Sequence, residues 1–186
     1  LENKQKEVIY VGRLDYMQKR VYRIIDTWKL LQEKYPDWKL SIIGVGEEEE
    51  SLKKQVSSLN LKNISFEGYQ KPNEYYKRAS LLVLASEFEG FPLVLAECMS
   101  FGVVPVVYAS YPAVYDIIRD DENGKIVNPE NGLFVTELMA KALDNLMNDE
   151  KKRNNMAKSA IETAIKDFSI DAIYRQWIDL FNNLNI

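Results

Sequence analysis

Six short runs rich in Val, Ile and Leu alternate with longer segments of helical period, and no other feature of the chain restricts its fold so tightly. The runs are VIYVG (8–12), WKLSIIG (38–44), NISFEG (63–68), LLVLAS (81–86), VVPVVY (103–108) and GKIVN (124–128). Between them the pattern predicts helices from about Arg20 to Lys34, over EEEESLKKQVSSL, from Pro72 to Arg78, over PLVLAECMSFG, and from Pro112 to Ile118. Three more helical stretches fill Gly132 to Leu184. Runs such as IIG and LLVLA show no polar alternation, as strands do when helices cover both faces of a parallel sheet. The expected fold is α/β: a single Rossmann-like, doubly wound parallel sheet of about six strands flanked by helices. With 186 residues and no repeat, low-complexity tract or flexible linker, residues 1–186 read as one domain.

Composition removes several function classes. A formal charge of −4 gives no broad basic field, so no nucleic-acid partner is expected. One cysteine excludes an internal disulfide, and zero histidines remove the commonest base and the commonest metal ligand. Cys98, among Ala96, Met99 and Phe101, reads as a small buried hydrophobe rather than a nucleophile. No apolar run reaches the length of a membrane span, and LENKQKEVIY has no signal-peptide core. Chemistry therefore falls to carboxylates, Arg, Lys, Tyr and backbone dipoles, with no metal and no cofactor expected.

The informative stretch is SEFEGFPLVLAECMSFGVVPVV (86–107), where Glu97 is the only charged side chain between Glu89 and Asp116. It begins where the fourth strand ends, and ligands of open α/β sheets bind outside the carboxyl ends of strands. Pro92 suits a first helical position, and Gly90 lets backbone approach a ligand. Amides around Phe91, Leu93 and Val94 would then face outward at the positive end of a helix, a ready anion site. Glu97 lies roughly 7–8 Å further along the axis, a suitable offset for a carboxylate reaching a ribose while the helix tip holds the attached diphosphate. Glu89 sits on the other side of the tip, near a group bonded to the distal phosphate. A plainer reading is equally open on this stretch alone: Glu97 faces solvent beside Leu93 and Ser100, and Glu89 is a loop charge.

Other strand ends contribute. VGRLDYMQKR places Arg13 and Lys19 after the first strand, two cations fit to clamp a diphosphate. Arg20 and Arg23 read instead as parts of a solvated basic loop. GVGEEEES has Gly44 and Gly46 without a third glycine, and its four glutamates would repel a phosphate, so a dinucleotide fingerprint is not supported. Tyr69, in FEGYQ (66–70), could contact a base. In the last helix, SIDAIYRQWIDLFNNL (169–184), Ile170, Ile173, Tyr174, Trp177, Phe181 and Leu184 form one apolar stripe, expected mostly to cover the sheet.

Together these residues resemble the C-terminal, donor-binding domain of the retaining GT-B glycosyltransferases of family four. The resemblance rests on GRL-x4-K (12–19), IIGVG (42–46), SFEGY (65–69), ENGKIV (122–127) and above all EGFP with the E-x7-E pair Glu89 and Glu97. It spans Val8 to about Leu184. It implies a nucleotide-diphosphate sugar as donor, a hexose moved to a glycan, lipid or other acceptor, and polysaccharide biosynthesis in the cytoplasm. It implies that Arg13 and Lys19 hold the diphosphate, and that Glu89 with the backbone of Gly90, Phe91 and Pro92 touches the sugar. The Leu93 and Val94 amides would meet the distal phosphate, Glu97 the ribose, and Gly12, Gly44 and Tyr69 would lie toward the nucleoside. Catalytic weight would fall on Arg13, Lys19 and Glu89. A second, acceptor-binding half is expected outside this chain, with any peripheral membrane contact residing there and part of the last helix crossing to it; without it the fragment would be inactive. A non-catalytic nucleotide-sugar-binding module and an epimerase-like GT-B protein are the alternatives. The chain departs from the common pattern where Arg20 replaces a frequent Gly and where YASYPAVYDII lacks the usual Gly-Gly and Glu.

Overall fold

A computed structural model describes residues 3–184 and contains the six expected strands. They are β1 (Gln5–Val11), β2 (Lys39–Ile43), β3 (Ile64–Gly68), β4 (Ala79–Leu84), β5 (Val104–Tyr108) and β6 (Lys125–Val127). All pair in parallel in the order β3-β2-β1-β4-β5-β6. The chain winds outward in one direction from β1 to β3, then returns to the middle and winds outward the other way from β4. The reversal between β1 and β4 is the switch point at which such sheets leave a crevice.

The central strands are buried throughout, as both-face coverage requires: every residue of β4 and β5 is buried. β5 also tolerates Pro105, which offers no amide to a ladder. Pro105 stands opposite Leu82 of β4, whereas pairing with β6 begins only at Val106. The missing donor thus falls just before the second ladder starts.

The helices are α1 (Val21–Lys29), α2 (Glu49–Ser58), α3 (Asn73–Arg78), α4 (Leu93–Ser100), α5 (Ala113–Ile117), α6 (Thr136–Asn148), α7 (Glu150–Phe168) and α8 (Ile170–Asn183). Two differ from expectation. α1 stops at Lys29 because the chain tightens into three-residue turns, with Leu30 and Leu31 donating to Thr27 and Trp28. α8 buries none of its residues. Its apolar stripe does not cover the sheet: Ser169 caps α8 directly after α7 ends, accepting from the Ala172 amide at 3.1 Å, and α8 starts there as a separate helix adjoining α7. Ile170 is 88% and Trp177 53% exposed. Among the described residues no helix is long and apolar enough to cross a membrane.

The amino edge of the sheet is locked by a buried carboxylate. Glu7 is fully buried, accepts from Ser41 at 2.7 Å and from Arg78 at 2.7 and 3.1 Å, and lies 3.3 Å from Lys39. Burial alone would push its carboxyl up. The hydrogen bonds from Arg78 and Ser41, with the charges of Arg78 and Lys39, outweigh burial and hold it below the usual range.

Candidate functional site

The loops after β1 and β2 and the end of β3 are stitched backbone to backbone at the carboxyl edge of the sheet. Gly12 donates to Ile43, Leu14 to Val45 and Gly44 to Gly68, at 3.0, 3.0 and 2.8 Å. The approach is so close that a Cβ on Gly44 would lie 1.9 Å from the Gly12 carbonyl oxygen, and one on Gly46 2.1 Å from that of Leu14. No side chain can occupy either position. Above this peptide floor opens a cavity of about 550 Å³, lined by Gly12, Arg13, Gly44, Val45, Tyr69 and Gln70 among others. Four sequence-selected residues, Gly12, Arg13, Gly44 and Tyr69, thus meet in one place. A second hollow of about 490 Å³ is lined by charged side chains such as Asp121 and Lys152 and sits before β6, at the other edge of the sheet.

Beside the cavity, the loop after β1 meets the loop after β4 across the switch point. Lys19 Nζ donates to Glu89 at 2.5 Å, and both side chains are largely buried. Gln18 Nε2 donates to the other Glu89 oxygen at 3.2 Å and to the Phe88 carbonyl at 3.3 Å, and the Glu87 amide donates to the Gln18 carbonyl at 2.7 Å. Gln18 was not singled out from the sequence, although it stands between the two cations that were. Arg13 is more open. Its guanidinium lies 3.1 Å from Asp15, a carboxylate held below its usual range chiefly by the Gln18 amide.

Arg20 and Arg23 do not form a solvated loop. Arg20 takes a left-handed φ of 50° just before α1, the conformation that explains why a glycine suits this position. Arg23 donates to the Ala85 carbonyl at 3.2 Å and to Glu87 at 2.6 Å, with its guanidinium over the rings of Tyr108 and Phe134. It is a brace between α1 and the end of β4. Its partners lie more than sixty positions away, so no local pattern could announce it.

The tip of α4 is close to the expected form, with one change. Pro92 sits at the cap rather than the first helical position, and its φ of −77° and ψ of 84° turn the Leu93 amide back onto the Phe91 carbonyl at 2.9 Å. The Leu93 amide is therefore engaged. Among the described residues, the amides of Gly90, Phe91 and Val94 have no protein acceptor. Phe91 rests 6.0 Å from Phe168, where α7 gives way to α8. Glu97 is exposed on the second turn of α4 and accepts from the Tyr76 hydroxyl at 3.2 Å; it does not line the 550 Å³ cavity. Cys98 is buried with its thiol donating to the Leu95 carbonyl, and burial pushes its proton affinity well up.

Residues 1–163 match the family described as Glycosyl transferases group 1. The chain belongs to this family. Among similar proteins, an uncharacterized glycosyltransferase of Haemophilus influenzae is 35% identical over 95% of this chain and 48% of its own length. The amylovoran biosynthesis glycosyltransferase AmsD of Erwinia amylovora is 30% identical over 96% of this chain and 49% of its own. The chain spans about half the length of these curated relatives. Among solved structures, the C-terminal domain of a group 1 glycosyltransferase, LpcC, from Francisella tularensis superposes with a TM-score of 0.78 at 28% identity, covering 91% of this chain and 89% of that one. A TarM variant from S. aureus, in complex with UDP among other ligands, superposes with a TM-score of 0.86 at 25% identity, over 98% of this chain and 37% of its own. The six-stranded parallel sheet thus has the Rossmann-like fold of the C-terminal domains of GT-B group 1 glycosyltransferases.

Proposed function

We propose that this chain is the donor-binding half of a retaining hexosyltransferase of family four, taking its sugar from a nucleoside-diphosphate sugar. The observation that carries the reading is the meeting, at one switch point, of Lys19, Glu89 and the open amides of Gly90, Phe91 and Val94 beside the cavity that Arg13 lines. An anion is the natural guest of cations and unpaired amides. The apolar, glycine-floored cavity under Tyr69 suits the nucleoside. That TarM and related folds are solved with UDP supports the donor class.

On this reading Arg13 and Lys19 neutralise the charge that builds on the departing diphosphate, and the α4 tip shares it, with Val94 the amide facing the distal phosphate and Leu93 joining only if it releases Phe91. Removing one such preorganised donor raises a barrier by about 3 kcal/mol. Glu89 and the Gly90–Pro92 backbone hold the sugar as it becomes oxocarbenium-like, and Glu97 reaches the ribose. Retention by front-face attack, with the leaving phosphate taking the acceptor's proton, completes the scheme. The charge at the diphosphate comes from side chains, so the scheme routes no step through a metal. Acceptor binding and any membrane contact fall to a second half of a longer protein working in the cytoplasm, and turnover requires both halves.

Calorimetry with UDP, GDP and ADP tests this. One of them should bind weakly to the chain, and Glu97→Ala should remove most of that binding. Unchanged affinity in the variant would defeat the ribose role, and no binding by any of the three would defeat the donor reading.

A further inference from the structure

Native interiors pair nearly all of their buried polar groups, and each exception calls for a reason. Among the described residues three buried side-chain atoms have no hydrogen-bond partner: Ser86 Oγ, Tyr111 Oη and Arg20 Nε, the last of which lies 3.7 Å from the Glu87 carboxylate. All three lie in segments that leave the carboxyl edge of the sheet, after β1, β4 and β5. Tyr111 is 5% exposed and Ser86 is fully buried. The two hydroxyls belong to segments tied together, because Ser110 Oγ donates to the Ser86 carbonyl at 2.6 Å. A phenylalanine would fill the space of Tyr111 without burying an unpaired O–H. The hydroxyl therefore has no use in the state described.

Glu89 follows three residues after Ser86 on the loop to which Ser110, next to Tyr111, is bonded, and its ion pair with Lys19 supplies one. Lys19 and Glu89 occupy each other, yet the proposed function sends Lys19 to a diphosphate and Glu89 to a sugar. Once Lys19 leaves, a carboxylate that is only 8% exposed keeps Gln18 and lacks its main donor. Resting on that reading, we propose that Tyr111 is a positioning residue for Glu89: its O–H, backed by the Ser86 hydroxyl, donates to the carboxylate when Lys19 is drawn to the diphosphate, and keeps it facing the sugar. The phenol is suited to this, since burial and then the Glu89 charge push its proton affinity well above that of a free tyrosine and keep it a donor. The class of ligand sensed is the sugar moiety of the donor, not its nucleotide.

Tyr111→Phe deletes only the oxygen. Melting without ligand, and calorimetry with UDP, UDP-glucose and UDP-N-acetylglucosamine, should be compared with the unaltered chain. The variant should melt at the same temperature or higher, bind UDP unchanged, and lose about tenfold in affinity for whichever conjugate the parent prefers. In a Glu89→Gln background the same substitution should add nothing further. A melting point lowered by several degrees would show a structural partner for the hydroxyl and overturn the proposal. So would equal weakening of UDP and conjugate, an unaffected conjugate, or independent effects of the two substitutions. A parent chain that binds UDP but no conjugate also overturns it, whereas one that binds no nucleotide of any base removes the donor reading beneath it.

Discussion

Two carboxylates on the same sheet meet opposite fates. Glu7, on β1 near the amino edge, is closed in by Ser41, Arg78 and Lys39, with partners arriving from β2 and the end of α3. Glu89, on the loop beyond β4, is held by Lys19 and Gln18, both on another loop. The first arrangement has every partner fixed by regular structure, and its burial leaves no room for a guest. The second can exchange partners, because loops move at low cost while the strands beneath them do not. Saturation at one edge builds the fold, and incomplete saturation at the other leaves chemistry available.

The comparison can be broken experimentally. Glu7→Ala strands Arg78 and Lys39 around a buried gap and should lower unfolding stability by about 3 kcal/mol in urea titration. Nucleotide affinity should stay unchanged; a loss of less than about 1 kcal/mol would mean that the buried cluster is not what locks the edge. Lys19→Ala should behave in reverse, reducing nucleoside-diphosphate affinity by about 2 kcal/mol and disturbing stability less than Glu7→Ala does. A variant that binds normally but melts early would assign Lys19 to the fold. The smallest effect concerns acid. The folded Glu7 carboxyl is held below its unfolded value, so its contribution is complete above the usual carboxylate range and fades as pH falls through the folded value. The stability gap between the parent chain and Glu7→Gln should accordingly be constant near neutrality and close on acidification. A gap that widens toward low pH would reverse the sign argued here.

The sequence carries some of these features openly and hides others. Strand runs such as LLVLAS are legible because burial on both faces forbids polar alternation, and β4 is indeed buried along its length. The reversal at β1 and β4 follows once the chain is doubly wound. Glu89 and Lys19 could be placed at one edge by their position after strands, but their mutual bond could not, since nothing local encodes a contact between residues seventy positions apart. Arg23 was misread for the same reason, its rings being Tyr108 and Phe134. The α8 stripe misled in another way. Periodicity reports an apolar face, not what covers it, and here the sheet already has its helices.

The peptide floor under the cavity has a consequence for how this protein can change. With Gly44 pressed to 1.9 Å and Gly46 to 2.1 Å of neighbouring carbonyls by any added carbon, those sites accept no substitution that keeps the loops together. Drift and engineering alike are confined to the walls, where Arg13, Tyr69 and Gln70 project. A change of guest must be written in the side chains above, because the ground beneath has no letters to alter.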